Sequence, residues 1–231
     1  MTKKLFYKKM TFHPNHLLVL DLDDTLYSEY DFETSGIQFV LHSLNLPYSK
    51  KEKELLEKKL ITHQRKIWVQ AILQLCPNEF TSHQEILQRY HHHSPTISLY
   101  PDALTFLERN FHQNIPMVLV TDGKSITQRN KINALGISQF FQKIYISEEV
   151  GEEKLGGKAF HEIHKLWPNY SKVMIGDNPK KDFLIPNQLQ WLTIQLEDRG
   201  QNIHAAVSPS IEHRAKISIE NFDRLLIPNE I

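Results

Sequence analysis

Three carboxylates stand within four positions directly after a run of aliphatic residues in LLVLDLDDTLY, residues 17–27. Side chains alternate along an extended chain, so Asp21 and Asp23 are expected on one side, with Leu22 turned to the other. Two ionised carboxylates so close together repel each other, and a hard divalent cation relieves that repulsion. Mg²⁺ prefers oxygen ligands and often joins protein carboxylates to a substrate phosphate. The pair therefore indicates a Mg²⁺ site, although two such residues also start turns or cap helices.

A further carboxylate, Asp177, follows the apolar run KVMIG, residues 172–176. The carboxyl ends of parallel strands lie at one edge of an open sheet, and ligands bind at that edge. We expect Asp177 to reach the same cation as Asp21 from a neighbouring strand. Asp182, five residues further on, is expected to support these ligands through hydrogen bonds rather than to bind the cation itself.

Short apolar runs with the aliphatic and β-branched content of buried strands recur along the chain. They occupy residues 17–23, 116–123, 143–147, 172–178, 191–196 and 216–219. Segments with apolar residues at helical spacing lie between most of these runs, at 102–112, 125–135, 157–166, 180–189 and 220–226. This alternation predicts an α/β fold in which a Rossmann-like parallel sheet lies between two layers of helices.

The stretch between the first two strand-like runs breaks this alternation. FETSGIQFVLHSLNL, KKEKELLEKKLITHQRKIWVQAILQL and SHQEILQRYHHH all show helical periodicity, with breaks at Pro47, Pro77 and Pro95. We therefore expect a helical domain at 28–98, inserted into a core domain that residues 1–27 and 99–231 form together.

The composition argues against several classes of function. Lys plus Arg and Asp plus Glu both number 27, so the formal net charge is zero and no basic face typical of nucleic-acid binding stands out. The single cysteine, Cys76, has no partner for an internal disulfide, and no apolar segment is long enough to cross a bilayer. The opening residues lack the apolar middle of a secretory signal. We expect a cytoplasmic protein without nucleic-acid or membrane partners, and the sequence leaves its oligomeric state open.

Four short motifs occur in a fixed order along the chain. They are DLDDT at 21–25, VTDG at 120–123, Lys154 at the end of EEVGEEK, and GDNPKKD at 176–182. In order and approximate spacing they resemble the four motifs of haloacid dehalogenase-like hydrolases, and the resemblance covers residues 17–226. The helical insertion resembles the cap of the subgroup that places it between the first two motifs. DLDDTLYSEYDF and GDNPKKDF are similar to members that hydrolyse small phosphomonoesters.

The resemblance implies a role for each carboxylate. Asp21 would attack phosphorus and form an aspartyl-phosphate. Asp23 would protonate the departing alkoxide and then activate the water that clears the phosphoenzyme. The Mg²⁺ ligands would be Asp21, the backbone carbonyl of Asp23, and Asp177, with Asn178 and Asp182 supporting them from behind.

The second and third motifs imply the groups that bind the phosphate. Thr121 would hydrogen-bond a phosphoryl oxygen, helped by the backbone N–H groups of Asp122 and Gly123. Lys154 would balance the negative charge of the nucleophile and the phosphate. Here the chain departs from the family pattern, because Leu155 replaces the usual Pro after the lysine. Counting back from an aromatic residue of the family pattern favours Lys154 over Lys158, and either side chain carries the required charge.

Two other functions remain open from the sequence. A phosphosugar mutase of the same family would share Asp21, Asp23 and the cap, but such mutases usually carry Gly where this chain has Asp24. A catalytically inactive relative would bind phosphate or a protein partner through its cap, whereas all four motif positions here hold workable side chains. An L-2-haloacid dehalogenase lacks the second acid that Asp23 supplies. The predicted activity is therefore Mg²⁺-dependent hydrolysis of a small phosphomonoester, such as a sugar phosphate or a nucleotide.

Overall fold

The computed structural model describes residues 10–44, 48–63, 67–75, 82–204 and 207–225, and Cys76 lies outside these ranges. Within them, six parallel strands form one sheet in the spatial order β3-β2-β1-β4-β5-β6. The strands are β1 His16–Leu20, β2 Met117–Thr121, β3 Lys143–Ile146, β4 Ser171–Gly176, β5 Leu192–Leu196 and β6 Ile217–Ile219. Each predicted strand segment overlaps one of them, which confirms the predicted α/β fold.

The strand order reverses direction next to β1, which lies between β2 and β4. Leu20 at the end of β1 pairs with Leu119 of β2 and Ile175 of β4, so the carboxyl ends of these three strands lie side by side. The crevice outside the carboxyl ends at such a reversal is the usual ligand site of open α/β sheets. The motif residues that follow β1, β2 and β4 therefore meet at one place.

Helices cover both faces of the sheet. In chain order they are α1 Glu29–Ser43, α2 Lys50–His63, α3 Trp68–Leu75, α4 His83–His92, α5 Pro101–His112, α6 Ser125–Leu135, α7 Ser147–Val150, α8 Lys158–Leu166, α9 Pro179–Asp182 and α10 Leu184–Gln188. Leu18 and Leu20 of β1 pack in one apolar cluster with residues of α5 and α6. Leu17 and Val19 face the other way and pack with residues of α8 and α10. Strands buried on both faces explain why the strand segments read as continuous apolar runs.

Two of the predicted helices differ from the structure. The segment 180–189 is split into α9 and α10, because Pro186 has no backbone N–H and is tolerated only in the first turn of a helix. The segment 220–226 contains a single 3₁₀ turn, Phe222–Arg224, in its described part. Asn221 is extended there and the N–H of Phe222 donates to the carboxylate of Asp102 at 2.9 Å, so no longer helix begins.

The described part of the insertion is helical in all of its regular elements, α1 to α4. These helices share an apolar cluster of their own, which includes Ile37, Leu41, Leu60, Ile72 and Ile86. Helix α4 lies against α6 of the core, where Nδ1 of His91 is 3.1 Å from the hydroxyl of Thr127. No helix in the described ranges has the length and apolar character needed to cross a bilayer. A separate cluster supports the proposal that residues 28–98 form a cap on the core.

Candidate active site

Asp21 follows β1 directly and continues its hydrogen bonding, since its N–H donates to the carbonyl of Ile175 at 3.0 Å. The residue is 5% exposed, and its carboxylate contacts the ammonium of Lys154, which also lies 2.8 Å from Oδ1 of Asp182. Lys154 is itself buried. The structure therefore brings residues from the first, third and fourth motifs into one hydrogen-bonded group.

Asp21, Asp177 and Asp182 form a buried cluster in which one carboxylate oxygen from each lies within 4.8 Å of the others. Burial raises the pKa of Asp21 to about 7 even though Lys154 opposes the shift. Burial and the neighbouring carboxylates Asp21 and Asp182 raise the pKa of Asp177 well above its usual range. One ammonium group therefore does not compensate these acids. An all-oxygen donor set with uncompensated negative charge fits Mg²⁺.

Asp182 differs from the other two acids because it is fully buried and both of its oxygens accept hydrogen bonds of 3.0 Å or less. Oδ1 accepts from Lys154, and Oδ2 accepts from the backbone N–H of Asn178 at 3.0 Å. Gly176 makes this approach possible, because a Cβ at that position would lie 2.4 Å from Oδ2 of Asp182. The side chain of Asn178 accepts from the N–H of Lys180 and caps α9. Asp182 thus orients Lys154, while Asp21 and Asp177 remain the candidate ligands.

Asp23 has a set of donors different from those of Asp21 and Asp182. Its carboxylate accepts from the hydroxyl of Tyr27, from Nζ of Lys131 at 2.6 Å and from Nε2 of Gln128 at 2.9 Å. Burial acts to raise the pKa of Asp23, but Lys131 and these hydrogen bonds outweigh it and hold the pKa below its usual range. The three donors therefore fix the orientation of the carboxyl group.

The second motif, at the end of β2, contributes Thr121, Asp122 and Gly123 to the site. The hydroxyl of Thr121 accepts from Nε2 of Gln128 at 2.5 Å, which leaves its own hydrogen available for a phosphoryl oxygen. Oδ1 of Asp122 accepts from the backbone N–H of Lys154 at 2.9 Å. Gly123 adopts a φ of 140°, and its N–H donates to the hydroxyl of Ser147 at 2.9 Å. The roles of the Asp122 and Gly123 N–H groups in phosphate binding stay predictions.

The two lysines left open by the sequence occupy different environments. Lys154 lies in the 3₁₀ turn Lys154–Gly156, buried against the carboxylates. Lys158 begins α8, is exposed, and donates from Nζ to the carbonyl of Val150 at 2.5 Å. Only Lys154 is in contact with Asp21, so it is the lysine placed to balance the charge of the site.

A cavity of about 80 Å³ lies above the carboxylates, and its rim includes Glu29 at the start of α1 and His204 from the segment after β5. Nε2 of His204 is 3.9 Å from the carboxylate of Glu29. The same segment brings Asn202 to Asp177, where Nδ2 donates to Oδ2 at 3.1 Å. The space over the nucleophile is thus bounded by both the core and the insertion.

Sequence reasoning missed four side chains at this site. The hydroxyl of Thr25, within the quoted first motif, is 3.4 Å from Asp21 and 3.5 Å from Asp177. Gln128, Lys131 and Asn202 bind carboxylates that are distant in sequence. The sequence signal for Gln128 and Lys131 is weak. They are two polar residues three positions apart after the second motif, and a solvated helix face shows the same pattern.

Asp24 connects the core to the first helix of the insertion. It has a left-handed φ of 53°, and its two carboxylate oxygens accept from the N–H of Glu29 at 2.9 Å and of Ile203 at 2.7 Å. Ser28, the N-cap residue of α1, makes no side-chain cap bond, so Asp24 supplies the missing acceptor. The residue that distinguishes this chain from mutase sequences therefore has a structural contact of its own.

Asp24→Asn is expected to lower the free energy of unfolding by about 1–3 kcal/mol, the usual cost of leaving one buried group without its partner. Asparagine tolerates a left-handed φ, so backbone strain is unchanged, but only one of its two terminal atoms is an acceptor. Urea unfolding measures the change. The exposed Asp223→Asn is the matched control, and equal stability of both variants and the wild type would contradict the contact.

A family model of haloacid dehalogenase-like hydrolases matches residues 18–186, and the chain belongs to this family. Over 105 residues the chain is 32% identical to glyceraldehyde 3-phosphate phosphatase of Methanopyrus kandleri, a match that covers 44% of each protein. Over 102 residues it is 29% identical to phosphoserine phosphatase of Thermus thermophilus, covering 43% of this chain and 41% of that protein. The chain thus spans less than half the length of these two curated relatives.

Solved structures share the fold over almost the whole chain. HAD-hydrolase YfnB of Bacillus subtilis, described as bound to magnesium, has a TM-score of 0.64 at 19% identity and covers 90% of this chain and 95% of that one. A protein of Thermotoga maritima described as a beta-phosphoglucomutase has a TM-score of 0.62 at 12% identity, covering 91% of this chain and 96% of that one. At these identities the likeness establishes the fold and leaves the reaction to the residues of the site.

Proposed function

We propose that the protein is a Mg²⁺-dependent phosphomonoester hydrolase that acts through an aspartyl-phosphate on Asp21. The observation that carries the proposal is the contact of the buried Asp21 carboxylate with Lys154. Asp177 lies in the same carboxylate cluster, and Asp23 is two residues further along the chain. Both curated relatives described above are named as phosphatases, which supports the same reaction class.

Asp21 supplies the nucleophilic oxygen, because its carboxylate lies at the carboxyl end of the central strand and faces the cavity. Lys154 is held by Asp182, so its ammonium is already oriented toward the charge that develops on the phosphate. Asp21, Asp177 and the backbone carbonyl of Asp23 would hold Mg²⁺, which supplies charge neutralisation and an anchor for phosphate oxygens when it is bound. Thr121 donates its hydroxyl hydrogen to a phosphoryl oxygen.

Asp23 acts as the general acid and then as the general base. In the first half of the reaction it protonates the oxygen of the departing alcohol, and in the second it takes a proton from the water that attacks the aspartyl-phosphate. Its carboxyl group is held by three donors, so it occupies one position in both halves. This arrangement favours hydrolysis by a positioned water.

The proposed substrate is a small phosphorylated metabolite of the cytoplasm, such as a sugar phosphate or a nucleotide. The cavity above Asp21, about 80 Å³, is of a size to take a phosphoryl group. Glu29 and His204 on the rim are the side chains placed to contact the rest of a substrate.

A panel of phosphate esters tests the proposal. We expect release of inorganic phosphate with Mg²⁺ present, loss of turnover on addition of EDTA, and recovery when Mg²⁺ is added in excess, because the acidic cluster is uncompensated without a cation. Turnover that EDTA leaves unchanged would contradict the metal dependence. Interconversion of sugar phosphates that requires a bisphosphate activator would indicate a mutase, and no turnover on any ester would indicate a binding protein.

A further inference from the structure

Helix α6 contributes two buried polar side chains, Gln128 and Lys131, that contact the site but to which the proposed mechanism assigns no step. They are three residues apart and so lie on the same side of the helix. Lys131 is only 3% exposed, and lysine is rarely buried without a charged partner. Both side chains donate to the carboxylate of Asp23, more than 100 residues away in sequence.

The two oxygens of Asp23 have different partners. Oδ1 accepts from the hydroxyl of Tyr27 and from Nζ of Lys131, so its two lone pairs are used. Oδ2 accepts only from Nε2 of Gln128 among the donors of the described residues, so one lone pair of Oδ2 remains available for a proton. The same Nε2 donates to the hydroxyl of Thr121, so Oδ2 is the oxygen on the side of the phosphoryl group.

We propose that Lys131 is a positioning residue, which holds Oδ1 of Asp23 so that proton transfer occurs at Oδ2; this inference rests on the proposed hydrolase function. The negative charge of the bound ester favours a proton on Oδ2 of Asp23. As Asp21 bonds to phosphorus, the ester P–O bond breaks, its electron pair stays on the leaving oxygen, and that oxygen takes this proton from Oδ2. Oδ2 then takes a proton back from the water whose oxygen displaces Asp21 from phosphorus. Without Lys131, Oδ1 keeps only the hydrogen bond from Tyr27, and its second lone pair competes with Oδ2 for the proton.

Lys131 also connects Asp23 to the helical insertion. Its Nζ lies 4.2 Å from the ring centroid of Phe32 in α1, a cation–π contact. The ring of Phe32 packs in turn on His93 at the end of α4, with 5.0 Å between centroids. The ammonium is therefore held by a core carboxylate and an insertion aromatic together, and Phe32 fixes Asp23 through Lys131.

Two esters with different leaving groups test the proposal in Lys131→Met. An alkyl phosphate needs a proton on its leaving oxygen, whereas p-nitrophenolate leaves without one, and kcat/KM reports the steps through formation of the phosphoenzyme. We expect kcat/KM to fall at least about tenfold more for the best alkyl ester of the panel than for p-nitrophenyl phosphate. The exposed Lys165→Met is the control and should leave the ratio of the two values unchanged.

Equal losses on the two esters would overturn the proposal, because a merely structural role for Lys131 lowers both alike, and so would no loss on either. Phe32→Leu should lower the same ratio in the wild-type background and have no further effect in Lys131→Met. If Phe32→Leu lowered the ratio of kcat/KM for the two esters as much in Lys131→Met as in the wild type, the proposal would also be overturned. A wild-type protein that hydrolyses neither ester contradicts the proposed function itself, so the two failures are distinguishable.

Lys131→Met removes a buried cation beside Asp23, and Phe32→Leu keeps the inference testable if that variant does not fold. Leucine retains apolar volume against Tyr90 and His93 but has no π face. A selective loss on the alkyl ester then supports the link from Phe32 through Lys131 to Asp23. A loss shared equally by both esters, or no loss, overturns it.

Discussion

Asp21→Asn is expected to lower kcat for phosphate-ester hydrolysis by about 10⁴-fold or more, the scale on which enzymes respond to loss of a covalent nucleophile. The amide has no anionic oxygen to attack phosphorus, and every later step depends on the bond that Asp21 forms. Initial rates with the best ester of the panel measure the effect. Stability is not expected to fall, because the substitution removes a negative charge from beside Asp177.

The same variant tests the electrostatics of the metal-free site. The pKa of Asp21 is raised in the folded protein to about 7, so between the unfolded value near 4 and pH 7 the folded state binds more protons. The free energy of unfolding should therefore fall as pH rises through this window, and Asp21→Asn should reduce that slope. Urea unfolding at several pH values with EDTA present measures it.

Asp223→Asn is the matched control for both experiments, since Asp223 is an exposed carboxylate remote from the site. Its activity and the pH dependence of its stability should equal those of the wild type. Hydrolysis by Asp21→Asn at more than about a hundredth of the wild-type rate would contradict the role of Asp21 as nucleophile.

Lys154→Met is expected to have the next largest effect, on both activity and stability. It leaves Asp21 and Asp182 buried without their common cation, and breaking a buried ion pair in this way costs about 3–5 kcal/mol. Although burial acts to lower the pKa of Lys154, Asp182 and Asp21 raise it above its usual range, so the ammonium is charged in the wild type. Loss of this charge should lower kcat by about 10²-fold or more.

Unfolding by urea and initial rates measure the two effects of Lys154→Met. The loss of stability should shrink as pH falls, because protonated carboxyl groups need no counter-charge. Lys158→Met is the matched control, because Lys158 is exposed and close in sequence but its ammonium donates to the carbonyl of Val150 rather than to Asp21. If Lys158→Met impaired turnover as strongly as Lys154→Met, the assignment of the third motif would be wrong.

Much of the fold was predictable because its signals are local. A strand buried on both faces must be apolar throughout, so β1, β2 and β4 were visible as continuous runs in the sequence. The sheet then places Asp21 and Asp177, which directly follow β1 and β4, beside Thr121, which ends β2. This placement is why the sequence predicts them as site residues. Two helical segments were predicted less well. Pro186 divides the segment 180–189, and the contact of Asp102 with Phe222 prevents a longer helix at 220–226.

The partners of the site residues were not predictable in the same way. Lys131 reads as one more polar residue of α6, and only the docking of α6 between the end of β1 and α1 turns it toward Asp23. Asn202 reaches Asp177 from a segment without a recognisable pattern. Buried charges are stabilised by specific neighbours, and those neighbours come from distant parts of the chain.

The sequence by itself therefore determined the class of fold, the family and the order of the acidic and basic residues around the candidate site, because buried strands and their following residues are encoded locally. The tertiary structure alone decided that Lys154 and not Lys158 contacts Asp21, that Asp182 accepts from Lys154, and that Lys131, in contact with Phe32, donates to Asp23. These choices depend on which side chains meet after helices and sheet pack together. No local pattern carries that information.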